Sequence, residues 1–364
     1  MAQLRHRWDP VCPPPRGLVW PVPLDPTGAN GPTRGEARSR SWRRTTRGYY
    51  VPSSVDSDVV EQRILEKSML LPTLGGVTGW SGCRLHGGTF FDGLLPDGAT
   101  ERPVSLCIGP LGQVREKAGV VLSRERLLAT EVTYRHGIAV TPVLRSLFDE
   151  MRYVREFREA VVAMDMMAAA EKVSLRQMRD YLLLHPGWTG VPQGRAALAL
   201  ADEDSRSPAE TRMRLIWQLD AGFPRPMVNK PVFDLNGRLL GIADILDPVA
   251  GVVGEYDGAD HRGAKRHSRD VAREEDFRRA GLEHFQVVGP DQRNTDLVVS
   301  RMNSTRARAK WLTEDRRAWT LEPPPDWGEY ISLDQKLEER AIMAEVYEQY
   351  ERDGDPAVRD IINL

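Results

Sequence analysis

The 364-residue chain has only three cysteines, no apolar run near the roughly 18 residues a spanning helix needs, a formal net charge of only -2 and no internal repeat. Cys12, Cys83 and Cys107 stand far apart without a CxxC or Cys/His pairing, which excludes a zinc ribbon and a disulfide scaffold. The lack of a long apolar run excludes a membrane-spanning helix. The opening segment up to Gly17 has no apolar core before a small-residue cleavage site, so a cytoplasmic location is expected. Charge of one sign is also missing: 50 Lys and Arg face 52 Asp and Glu. That balance excludes a uniformly basic nucleic-acid binder but leaves room for local patches. What is present, 41% hydrophobic residues in this length, suits two or three domains with real cores.

The charges are segregated. Residues 1–50 are rich in Pro and Gly and end in a cationic run, Arg34, Arg38, Arg40, Arg43, Arg44 and Arg47, with Trp42 inside it and Tyr49 and Tyr50 after it. Such a run is either a solvated arm or, with its interleaved aromatics, an arm contacting phosphates. Residues 51–140 read as a small α+β domain: a helix from Val59 toward Pro72, then short strands around Pro103–Ile108 and Val120–Leu122. Thr141-Pro142 starts a long helical stretch, with Leu144, Leu147, Phe148, Met151, Val154, Phe157, Val161 and Met164 at helical spacing, which predicts a helical connector over 141–206. An α/β region over 207–290 and a charged helical tail over 291–364 complete the chain, α+β overall.

Residues 207–290 carry the chemistry. Ser207-Pro208-Ala209-Glu210 opens a helix, strands follow at Arg238–Leu246 and Val252–Asp257, a helix at Arg269–Ala280 and a strand at Glu283–Val288. Period-two alternation predicts Leu240, Ile242, Asp244 and Leu246 on one face, and Val253, Glu255 and Asp257 on one face of the next strand. An aspartate among aliphatic residues requires a compensating cation or donors. If the strands pair, Asp244, Glu255 and Asp257 converge, and such an oxygen-only set suits Mg²⁺ or Mn²⁺, which activates water and stabilises a phosphodiester under attack. Each residue also has a plainer reading. Asp257-Gly258 is a common turn dipeptide, and Glu210 fits a capping box. His261 is either an exposed loop residue or a general base, with Lys265 and Arg266 beside it able to steady a phosphate. Arg273 belongs to a mixed-charge helix that reads as an ion-paired face.

The set Ser207-Pro208-Ala209-Glu210 to Arg214, the Asp244 strand, Gly254-Glu255-Tyr256-Asp257-Gly258 with His261, and Arg269-Asp270 to Arg273-Glu274 resembles a domain of unknown function related to very-short-patch-repair endonucleases, within the PD-(D/E)xK superfamily. Upstream, Trp42-Arg43-Arg44-Thr45-Thr46-Arg47-Gly48-Tyr49-Tyr50, Thr78-Gly79-Trp80-Ser81 and Leu85-His86-Gly87 are similar to an AbiEi-type antitoxin-like region found before this domain in actinobacterial proteins. The resemblance implies a restriction-endonuclease-like core at 207–290 behind an antitoxin-like domain at 51–140. It also implies Asp244 and Glu255 as ligands of Mg²⁺ or Mn²⁺, Glu210 as a supporting acid, and Asp257 or His261 as the activating group. Arg43, Arg44, Lys265, Arg266 and Arg273 are the expected DNA contacts, and a toxin or DNA-processing protein is a further expected partner. One departure stands out: Asp257 occupies the place where the superfamily motif has lysine. Two functions therefore stay open, a DNA endonuclease and a non-catalytic DNA-binding regulator of the type IV antitoxin kind.

Overall fold

The computed structural model describes residues 17–115, 118–258 and 273–353. The chain is α+β and divides into two compact units, residues 1–173 with 177–198 and residues 174–176 with 199–364. Among the described residues no helix is long and apolar enough to cross a membrane.

The first unit opens with β1 (Val22–Pro23), β2 (Trp42–Thr46) and β3 (Tyr49–Pro52), which form an antiparallel sheet in the order β1-β3-β2. The cationic run therefore enters a sheet where a solvated arm was one of the two expectations. Val51 is fully buried, and this apolar anchor gives the strands something to pack on. Then come α1 (Val60–Ser68), β4 (Gly76–Val77), α2 (Gly79–Leu85), β5 (Val104–Cys107), β6 (Val120–Ser123), β7 (Thr133–Arg135) and β8 (Ile138–Val140). The last five strands form a mixed sheet in the order β6-β5-β4-β8-β7. Cys83 and Cys107 are free, buried thiols.

The long helical stretch is two helices, α3 (Val143–Tyr153) and α4 (Phe157–Ala169). The break has a physical cause. Gln193 Nε2 donates to the carbonyls of Met151 and Val154, at 3.0 and 2.9 Å, and so satisfies acceptors that a continuous helix would have used itself. Leu147, Phe148 and Met151 of α3 are fully buried, so the expected connector is built largely into the core of the first unit. The helices α5 (Leu175–Leu184) and α6 (Val191–Leu200) follow.

In the second unit α7 (Pro208–Leu215) starts as the sequence indicates: Ser207 Oγ accepts from Glu210 N at 3.2 Å, with Pro208 at the first position. The sheet comprises β9 (Met227–Asp234), β10 (Leu239–Asp247), β11 (Val252–Asp257), β12 (Glu283–Val288) and β13 (Trp319–Thr320), in the order β12-β11-β10-β9-β13. Only β12 runs parallel to its neighbour, β11, and the crossover between them contains α8, described over 273–279. The unit closes with α9 (Thr295–Arg308) and α10 (Leu333–Asp353). One apolar layer joins Met213 and Trp217 to Ile245, Val252, Phe285, Val298 and Met302. The other joins Phe277 of α8 to Val232, Leu240, Ala243, Leu246 and Val253. Strand β9 is absent from the sequence expectation because Pro231 interrupts its pattern, and the structure accommodates that proline opposite Ile242.

Candidate active site

Strict alternation along β10 does not hold. Leu240, Ala243 and Leu246 share one layer while Ile245 lies in the other, so Leu240, Ile242, Asp244 and Leu246 do not form one face. The cause is irregular pairing. The register with β9 shifts between Leu239 and Gly241 and is then constant to Leu246, which sets Asn229 opposite Asp244. Asn229 has a φ of 47°, a left-handed conformation that Asn tolerates better than most residues. On the other side of β10, Ile245 pairs with Gly254, which sets Glu255 next to Asp244. These two registers bring Asn229, Asp244 and Glu255 into one row across three strands.

Asp244 Oδ2 accepts from Tyr256 N at 2.7 Å, and among the described residues this is its one hydrogen bond. Burial, and then the negative charge of Glu210, push its carboxyl up to about 7. Glu255 adds to the rise, and the Tyr256 N–H and the Arg273 cation oppose it. Asp244 is therefore under-compensated, as a carboxylate awaiting a cation would be.

Glu210 is held on all sides. Its Oε1 accepts from Ser207 Oγ at 2.9 Å, and its Oε2 accepts from Arg206 N at 3.0 Å and from Asn229 Nδ2 at 2.7 Å. Capping and proximity to Asp244 coexist in this one side chain. Asn229 Nδ2 also donates to the Asp204 carbonyl at 2.8 Å, so a buried amide links β9 to the start of α7.

Glu255 is buried and already partnered. Arg273 Nε lies 2.9 Å from its Oε1, Arg273 Nη2 donates to its Oε2 at 3.3 Å, and His284 Nε2 lies 3.2 Å from that oxygen. The close approach depends on Gly241, where an added Cβ would lie 2.8 Å from Arg273 Cδ and 2.7 Å from Phe277 Cζ. Arg273, expected on DNA, thus faces an acid of the site.

The remaining expected residues separate. Asp257 is exposed at the end of β11, outside the buried acids. His261, Lys265 and Arg266 lie outside the described residues. Arg43 pairs with the buried Glu66 through both terminal nitrogens, at 2.8 and 2.7 Å, while Arg44 stays exposed. Two site residues escaped sequence reasoning. His284 sits on a strand recognised from its apolar neighbours, and Asn229 on a strand hidden by Pro231; a polar side chain adjoining buried Phe285 or Val228 was the available signal.

Among the described residues no group of three or more His, Cys, Asp and Glu side chains is placed to hold a metal. Asp244 keeps an unbonded Oδ1, whereas both oxygens of Glu255 already meet Arg273 or His284. No protein-family model, curated protein or solved structure matches the chain.

Proposed function

We propose that the second unit is a metal-dependent endonuclease core of the PD-(D/E)xK kind that hydrolyses phosphodiester bonds in DNA. The observation that carries this reading is the half-buried Asp244, set beside Glu210 and Glu255 with its Oδ1 unbonded among the described residues and its carboxyl pushed upward by burial and by their charge. The order of α7, three antiparallel strands, α8 and a final parallel strand supports it, as does the sequence resemblance over 207–290.

In this reading Asp244 and Glu255 hold Mg²⁺ or Mn²⁺. The bound ion supplies a water of lowered pKa and neutralises charge on the phosphodiester. Glu210, fixed by Ser207, Arg206 and Asn229, keeps negative charge against Asp244 and so favours cation uptake. Arg273 and His284 hold Glu255 in one orientation. The test is incubation of the full chain with supercoiled and mismatched DNA plus Mg²⁺ or Mn²⁺. Cleavage abolished by Asp244→Ala is expected. Absence of cleavage by the wild type, or cleavage that Asp244→Ala leaves intact, refutes the proposal.

A second reading, a DNA-binding regulator without catalysis, is favoured by one observation: Glu255 is already paired with Arg273 and contacted by His284, and Asp257 stands where the motif has lysine. It predicts duplex binding that falls with salt, depends on exposed Arg44, and is indifferent to Asp244→Ala.

A further inference from the structure

The first unit contains a cavity of about 860 Å³, within the range of small-molecule sites, that the nuclease reading does not use. Its apolar wall is formed by Trp80, Leu94, Leu95, Val121, Leu122 and Tyr153. Val121, on edge strand β6, and Tyr153, at the end of α3, are half-exposed and give the cavity its mouth.

The charged groups behind this wall are unequal in what they have left to offer. Asp149 is held by Arg145 at 3.0 Å, Arg152 at 2.6 Å and Thr78 Oγ1 at 2.7 Å. Glu125 takes Arg152 on both oxygens, at 3.0 and 2.6 Å. Glu150, 4% exposed, accepts from Trp80 N at 2.9 Å and from Arg102 Nη2 at 2.6 Å. The buried acids are thus saturated. Arg102 differs, because among the described residues the only hydrogen bond of its guanidinium is the one from Nη2 to Glu150, which leaves Nε and Nη1 without a protein acceptor. Its guanidinium carbon sits 5.7 Å from the centre of the Trp80 ring, at the junction of charge and apolar wall.

We infer that this cavity binds a small amphipathic anion, an apolar body seated against the Trp80 wall with a carboxylate, phosphate or sulfonate group on Arg102. A guanidinium with donors to spare, fixed by a buried carboxylate and an aromatic face, is positioned to donate to an anion.

The experiment uses two fluorescent dyes on the full chain: anilinonaphthalene sulfonate, which has an apolar body and an anion, and N-phenyl-1-naphthylamine, which has nearly the same body and no charge. Arg102→Gln is expected to weaken the sulfonate dye at least tenfold and the neutral dye less than twofold. Val121→Asp, at a half-exposed position, is expected to weaken the sulfonate dye at least fivefold and the neutral dye by less than half as much. Val121→Trp, which fills the mouth, is expected to weaken both tenfold. Failure of the wild type to bind either dye overturns the inference, as does equal loss of both dyes in Arg102→Gln or indifference of both to Val121→Trp. None of these results depends on DNA cleavage.

Discussion

The two units each gather a cluster of charges, and the clusters are built to opposite ends. In the first unit Arg145 and Arg152, with side chains 1% and 0% exposed, interlock with Asp149 and Glu125, and their planes pack on Trp188 and Phe148 at 4.5 and 4.2 Å. Burial alone would pull the Arg152 cation down, yet its bonds to Glu125 and Asp149 raise it above the ordinary arginine value. In the second unit Glu210, Asp244 and Glu255 gather with Arg273 as the facing cation, and Asp244 is pushed up to about 7. A matched cluster is architecture, since its charges are mutually compensated and removing one strands the others. An unmatched cluster holds negative charge at the expense of stability, the pattern typical of sites that bind a cation.

The largest effect expected from this contrast is in the first unit. Asp149→Ala leaves Arg145 and Arg152 without their shared carboxylate, and loss of roughly 3–5 kcal/mol is expected by urea denaturation. A loss under about 1 kcal/mol would show that the two clusters are alike after all.

In the second unit the sign reverses. A carboxyl whose folded pKa lies above its unfolded one binds more protons when folded, so its contribution to stability is full below the unfolded value of 3.8 and falls as pH rises toward about 7. Asp244→Asn keeps an acceptor for Tyr256 N and removes the charge, so a gain of roughly 2–4 kcal/mol is expected at pH 8 and little change at pH 4. Thermal unfolding at the two pH values measures it. A variant less stable than wild type at pH 8 would contradict the under-compensated cluster. In the same experiment at pH 8, Mn²⁺ at about a hundred times its Kd is expected to stabilise the wild type by about 2.7 kcal/mol and the variant far less.

Asn229→Ala removes the amide that joins Glu210 to Asp204 and forces alanine into a left-handed conformation, with an expected loss of roughly 1–3 kcal/mol. Asn229→Gly keeps that conformation accessible and should lose less; equal losses would mean that backbone strain plays no part. The smallest effect belongs to the exposed pair Arg279–Glu275 on α8, with side chains 70% and 54% exposed. Arg279→Ala is expected to change stability by less than about 0.5 kcal/mol, which sets the baseline for charges outside both clusters.

Much of this second unit is legible in the sequence. Ser207, Pro208 and Glu210 announce the start of α7, and Val252–Asp257 and Glu283–Val288 appear as strands at the bounds the structure has. Asp244 and Glu255 stand out because acids on otherwise apolar strands require an explanation. Strand β9 was not legible, since Pro231 breaks its pattern and its place is decided by pairing with β10. Nor was the break between α3 and α4, which needs Gln193 from a later helix.

Taken alone, the sequence determined where helices begin, which segments are strands and which acids are out of place, because caps, periodicity and local polarity are properties of neighbouring residues. Only the tertiary structure decided how the charges are distributed. It gave Arg43 to Glu66, gave Arg273 and His284 to Glu255, and left Asp244 with a single backbone donor. The reason is that burial and partner choice depend on which distant elements pack together, and the same carboxylate is compensated or exposed to its neighbours' charge according to that packing.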